Sequence, residues 1–313
     1  MTKVLEAVPN FSEGRDMQKV RALVDVISTR DVDVLDWSAD PDHHRAVVTY
    51  IGDPRAVEDA SVAGAAFALE HIDLRHHEGV HPRVGALDVL PFVPLEGTVM
   101  DEAVASAHRV GHEIARLGIP VFFYGRASEP PGRALSLLRG GGFEGLRDGF
   151  AEDLPADLPK DSRRAHPTAG VTCVGARDIL LAWNVFLVGI DLQGARDIAG
   201  RVRERGGGFK GLRALGLHLE DQDRVQISMN LEDPIGTSPL DVFAFIEKEV
   251  AARGGRVTET QVIGMIPDTL VHPAAVDRLL LSDFGPARVL SRRVAEHVSN
   301  RTSGHTETSE HTE

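Results

Sequence analysis

Two strand-like stretches near the start of this chain lie too close together to run parallel. Val32 to Trp37 and Arg45 to Ile51 both read as strands, the second dense in β-branched and aromatic residues (Val47, Val48, Thr49, Tyr50, Ile51). Only a short polar turn separates them. A parallel pair needs a crossover of a dozen or more residues, so this pair closes as an antiparallel hairpin. Elsewhere strands alternate with helices. Lys3 to Val8 reads as a strand, and Val20, Leu23, Val24 and Ile27 mark one face of the helix after it. Pro54 opens a helix that runs to about Glu70. Thr98-Val99-Met100-Asp101 resembles a capping box ahead of a helix reaching about Leu117, and Val121 to Tyr124 is the next strand.

Glu129 to Arg164 is rich in Gly, Pro and charge and reads as short helices and loops. A second pattern follows. Ile179 to Val188 is nearly continuous in apolar residues, as in a buried strand, and Ala195 to Val202 is helical. Val225, Ile227, Met229 and Leu231 alternate with polar partners, which predicts one buried and one solvated face. Ser238-Pro239 starts a helix that Gly254 ends, and Val257 to Ile266 is a further strand. The pattern predicts an α+β protein of two α/β subdomains with largely antiparallel sheets, residues 1–177 and 178–300. The last residues, 301–313, hold no apolar side chain and are expected to form a disordered tail.

Composition narrows the function. The net charge of −13 argues against a general nucleic-acid binder, and no apolar run approaches the ~20 residues of a membrane span. Cys173 is the single cysteine, so there is no disulfide framework. With no signal-peptide pattern at Met1 to Leu5, this predicts a cytoplasmic protein.

The densest chemistry lies in Arg75-His76-His77-Glu78-Gly79-Val80-His81-Pro82-Arg83, which runs straight into an apolar strand. Gly79 is expected to supply backbone angles closed to other residues, and Pro82 stops a helix. His81, at the centre of this braced loop, suits proton transfer near neutral pH. A zinc site on His76, His77 and His81, with His43 and His44 recruited, would need a helix that Gly79 and Pro82 oppose; no metal is expected. The turn Asp36 to Arg45 offers carboxylates to orient an imidazole and Arg45 to hold an anion, although a solvated hairpin loop explains it equally. Val8 to Asp16 can cap the following helix or hold an anion on its amides. Arg163 to Thr172 lies at the proposed junction, where ligand sites are favoured, and Arg201 to Arg213 sets five basic residues around a glycine-rich turn.

Val8-Pro9-Asn10-Phe11-Ser12-Glu13-Gly14 and His81-Pro82-Arg83-Val84-Gly85-Ala86-Leu87-Asp88-Val89-Leu90-Pro91-Phe92 resemble the glutamate formimidoyltransferase (formiminotransferase) family. Gly175-Ala176-Arg177-Asp178 through Asn184, and Gln261-Val262-Ile263-Gly264-Met265-Ile266-Pro267, continue the match in the same order. The resemblance spans roughly residues 3 to 280 and fits the stand-alone form without a cyclodeaminase domain. It implies a ligand groove between the subdomains and transfer of a formimino group from N-formimino-L-glutamate to N5 of tetrahydrofolate, a step of histidine degradation and one-carbon metabolism. It places the catalytic histidine on His81. Asn10, Asp40, His44, Arg45, Gly79 and Arg83 are then expected around the donor. Tetrahydrofolate, a co-substrate, is expected against Arg164, Ala165, His166, Pro167, Thr168, Ala169 and Gly170.

Many members carry an aspartate where this chain has Ser38; if that aspartate assists the histidine, either Asp40 or Asp42 substitutes for it here or the assistance is different. A homodimer is expected, with no nucleic-acid or membrane partner. Alternatives are an N-formylglutamate formyltransferase, a 5-formyltetrahydrofolate cycloligase, or a non-catalytic folate-binding protein.

Overall fold

Pro9 breaks the first strand in two. The computed structural model describes residues 2–271, 273–282 and 284–307. In it, β1 (Leu5–Ala7) and β2 (Asn10–Phe11) lie between the same two neighbours. Proline has no N–H for a ladder, but its carbonyl still accepts from the Val48 N–H at 3.1 Å. There follow α1 (Met17–Ser28), β3 (Asp33–Asp40), β4 (Arg45–Gly52), α2 (Pro54–His71), β5 (Leu87–Pro94), α3 (Met100–Arg116) and β6 (Val121–Gly125). Two short helices, α4 (Leu135–Leu138) and α5 (Gly142–Asp148), occupy the Gly- and Pro-rich region, and β7 (Thr172–Ala176) ends this half.

The expected hairpin is β3–β4. Across the sheet the order is β3, β4, the β1/β2 pair, β5, β7, β6. Pairing is antiparallel except where β7 inserts parallel to both β5 and β6. The sheet is therefore mixed within the expected α+β class. One core packs α1, α2 and α3 against Leu5, Val48, Tyr50, Leu90, Phe92 and Val174. A second core sets Leu138, Phe143 and Leu146 of α4 and α5 against Val89, Phe122 and Cys173. The cap of α3 lies one residue later than the sequence suggests. The Glu102 carboxylate accepts from the Val99 N–H at 3.1 Å, while the Thr98 hydroxyl stays buried without a partner among the described residues.

The second sheet is built from β8 (Leu181–Val188), β9 (Leu212–Leu219), β10 (Arg224–Leu231) and β11 (Arg256–Ile263), in the order β11-β8-β10-β9, all antiparallel. Helices α6 (Leu192–Val202) and α7 (Pro239–Ala251) cover one face, with Trp183, Ile198, Ile227, Phe243 and Ile246 in the core. The opposite face is not simply solvated as the alternation predicts, because Gln226 on it is fully buried. After α8 (Pro273–Arg278) the chain ends in α9 (Leu290–Glu307).

The chain divides into two compact units, Met1–Arg177 with Arg293–Glu313, and Asp178–Arg292. From Arg293 onward it groups with the first unit, not the second. There α9 is tied to β3 and the residues before it: the Arg301 guanidinium donates to both carboxylate oxygens of Asp31, at 2.8 and 3.1 Å, and His297 Nδ1 lies 2.6 Å from Asp33. Residues 301–307, placed in a disordered tail by composition, thus continue a helix that polar contacts anchor; residues 308–313 lie outside the described residues. No described helix is long and apolar enough to cross a membrane.

Candidate active site

The loop after α2 is fastened to the β3–β4 turn. The Val80 N–H donates to the Asp42 carbonyl at 3.0 Å, His77 Nε2 donates to the His44 carbonyl at 2.7 Å, and His44 Nδ1 donates to the Glu78 carbonyl at 3.0 Å. The rings of His44 and His77 stack at 4.1 Å, nearly parallel. Gly79 is needed for proximity, not for the unusual backbone angles expected of it; its φ is not positive. A Cβ on it would sit 2.4 Å from the His43 carbonyl oxygen. Gly79→Ala is expected to push the loop off the turn, at a cost of about 1–3 kcal/mol by the usual scale of overpacking. Thermal unfolding measures that loss, and an unchanged midpoint would contradict it.

His81 stands at the centre of this assembly. Its Nδ1 lies 2.8 Å from the Pro82 carbonyl oxygen, an obligate acceptor, so Nδ1 carries the proton and Nε2 keeps its lone pair. Nε2 makes no hydrogen bond among the described residues. Burial, then the positive charge of Arg45 and Arg139, hold the imidazole well below its ordinary pKa, so it is neutral at neutral pH. The His43 ring lies 5.9 Å away, and Asp40 accepts from both the ring and the backbone N–H of His43, at 2.9 and 2.7 Å. Asp40 thus meets His81 only through His43. The Asp42 side chain is buried in the same turn.

Below the loop lies an ionic triad. Asp88, wholly buried at the second position of β5, accepts from the Val84 and Gly85 N–H groups through one carboxylate oxygen, at 2.8 and 3.3 Å. Its other oxygen accepts from Arg45 Nη1 at 2.7 Å and from Arg139 Nη2. Burial alone would raise the Asp88 pKa, but the two guanidiniums and the Val84 amide outweigh it and hold the carboxyl far below the usual range. Asn10 orients Arg45, accepting from its Nε at 3.1 Å while its own amide donates to the Val8 carbonyl.

Arg83, expected as a substrate clamp, is engaged within the protein. It binds both oxygens of Glu144, at 2.7 and 2.9 Å, and donates to His77 Nδ1 at 2.9 Å. That bond also settles His77: Nδ1 accepts and Nε2 donates, so no lone pair is left for a metal. Burial, with the charge of His44 and Arg83, lowers the His77 pKa to about 4. His76 is exposed, and no group of three His, Cys, Asp or Glu among the described residues is placed to hold a metal ion. Glu13 gathers the amides of Gly14, Arg15 and Asp16 with Lys19 and His44; these hydrogen bonds outweigh its burial and hold it far below the carboxylate range.

Arg164 to Gly170 forms a tight turn beside the loop. His166 and Gly170 exchange backbone hydrogen bonds, and His166 Nδ1 accepts from the Ala169 N–H at 3.1 Å. Ala86 and Leu74 donate to the Ala169 and Thr168 carbonyls. Ala165, Ala169 and Gly170 are buried; Arg164 and Pro167 are exposed. Farther along the chain, in the second unit, Arg201 is paired with Glu249 and Arg213 with Glu232.

Residues 4–177 match the formiminotransferase domain, N-terminal subdomain, and residues 182–277 match the formiminotransferase domain. The chain belongs to the formiminotransferase family. It is 38% identical over 289 residues to a glutamate formimidoyltransferase of Streptococcus pyogenes, covering 91% of this chain and 96% of that one. It is 36% identical over 296 residues to a glutamate formimidoyltransferase of Thermoplasma acidophilum, covering 93% and 97%. A formimidoyltransferase-cyclodeaminase of Rattus norvegicus is 36% identical over 278 residues, 85% of this chain but 51% of that protein.

In this formiminotransferase family member, the structure brings Asn10, Asp40, His44, Arg45, Gly79, His81 and Arg83 into one assembly. Two further residues of that assembly, Asp88 and Arg139, escaped sequence reasoning. Asp88 had a readable signal, a carboxylate inside an otherwise apolar strand. Arg139 had none, for it stands 51 residues away in sequence.

Proposed function

We propose that this chain is a glutamate formimidoyltransferase that moves the formimino group of N-formimino-L-glutamate to N5 of tetrahydrofolate, with His81 as the proton shuttle. The observation that carries the chemistry is the neutral His81 imidazole, with Nδ1 tied to its neighbour's carbonyl and Nε2 left with its lone pair. N5 attacks the formimino carbon and gives its proton to Nε2. The bond from that carbon to the glutamate nitrogen then breaks, and the same proton passes to the leaving nitrogen. Arg45 and Arg139 make the resulting imidazolium a strong acid, which favours the second transfer. Holding both reactants against one shuttle supplies orientation worth several powers of ten.

Tetrahydrofolate is assigned to the 164–170 turn. Support comes from its hydrogen bonds to Leu74 and Ala86, which flank the His81 loop, and from the exposed Arg164 cation. Asp40 acts through His43 where other members are expected to use an aspartate at the Ser38 position.

The purified protein, assayed with tetrahydrofolate and a panel of formimino and formyl amino acids, is expected to turn over N-formimino-L-glutamate best, without ATP. A preference for N-formyl-L-glutamate, or folate binding with no transfer from any donor, defeats this reading.

A further inference from the structure

We infer that Arg139 acts with Arg45 to hold the α-carboxylate of the one-carbon donor beside His81. The inference rests on the reaction assigned above and adds a residue and a substrate group to it. Two guanidiniums converge on one oxygen of Asp88, whose other oxygen is taken by backbone amides. The triad therefore carries one more positive than negative charge. It does so away from water, for the Arg45, Arg139 and Asp88 side chains are 9%, 16% and 0% exposed. A cation in that setting calls for an anion.

Donor capacity is available for one. Arg139 Nε is buried without a partner, and Arg45 Nη2 makes no hydrogen bond among the described residues. Arg83, by contrast, is engaged by Glu144 and His77. The reaction's own chemistry selects the anion. Asp88 takes the Val84 and Gly85 amides, three and four residues past His81, and Arg45 follows His44, which is tied to the Glu78 carbonyl, so an anion the pair holds lies near the shuttle. His81 must reach the nitrogen that leaves. In N-formimino-L-glutamate a single carbon separates that nitrogen from the α-carboxylate, whereas the γ-carboxylate is farther along the side chain. The carboxylates of folate lie beyond its pterin and aminobenzoyl rings.

Steady-state kinetics of Arg139→Gln, with each substrate varied in turn, tests the clamp. Loss of a charge-assisted hydrogen bond is expected to raise the donor KM about ten- to a hundredfold, with the tetrahydrofolate KM unchanged. The formimino derivative of 4-aminobutyrate, which lacks the α-carboxylate, should be poor with the wild type and no poorer with Arg139→Gln. If Arg139→Gln does not fold, Arg139→Lys, which keeps a charge for Asp88, should show the same selective rise to a smaller degree. A rise in the tetrahydrofolate KM instead would move the pair to the folate, and an unchanged donor KM would end the proposal. Wild-type turnover in the same series keeps the two questions apart: no turnover of N-formimino-L-glutamate refutes the reaction, while turnover with an indifferent Arg139→Gln refutes only the clamp.

Discussion

His81→Ala is expected to lower kcat by about 10²–10⁴, the usual worth of general acid–base help, while tetrahydrofolate still binds. The ring's one hydrogen bond runs to its own neighbour's carbonyl, so its loss leaves the loop's ties to the β3–β4 turn in place. The pH profile gives a second reading. The shuttle starts as the neutral imidazole, and its pKa is held well below the ordinary histidine value. Activity should therefore stay level through neutral pH and fall only as pH drops through that lowered value. An acid limb centred near the unperturbed value of about 6.5 would contradict the site. So would a His81→Ala enzyme retaining more than about a tenth of wild-type turnover, outside the range for such catalysis.

Asp88→Ala is expected to be the most destabilising single change in the site, at about 3–5 kcal/mol, the scale for breaking a buried ion pair from one side. It strands Arg45 and Arg139 and leaves the Val84 and Gly85 amides without their acceptor. Urea unfolding of wild type and variant measures the difference, and a loss under about 1 kcal/mol would mean that the triad is not held as described. The sign of the pH effect follows from the depressed folded pKa. The contribution is complete above the unfolded carboxylate value of about 3.9 and is lost as pH falls toward the folded value. The wild type should thus lose stability in that acid window, and the Asp88→Ala curve should be flatter there.

The pieces of the fold that local pattern controls were readable. The β3–β4 hairpin, α1 with its Val20, Leu23 and Ile27 face, and α2 opening at Pro54 all follow from spacing and from proline. What escaped depends on partners distant in sequence. β7 is five small or apolar residues that become a strand because β5 and β6 leave a place between them. β9 and α9 were missed as well. In the site, His81 and Arg45 stood out because a histidine in a loop and an arginine beside a turn advertise chemistry. The protein partner of Arg83 was not legible, since Glu144 lies 61 residues away. Gly79 was noticed for the wrong property, because backbone proximity to His43 leaves no trace in local sequence.

The fastening of the His81 loop to the β3–β4 turn has a consequence for how this enzyme can change. Val80 bound to Asp42, His77 bound to His44, and Gly79 against His43 make the two segments one mechanical piece. Arg45 leaves that piece at the first position of β4, so a change that shifts the turn to suit another donor also shifts the proton shuttle. Arg139 is carried on another segment, between α4 and the glycines Gly140 to Gly142. Donor preference can be retuned beside Arg139 without displacing the shuttle, so libraries aimed at new one-carbon donors belong around residues 134–141, with Arg139 kept for its charge on His81, and not in the histidine loop or at Glu144, which holds Arg83.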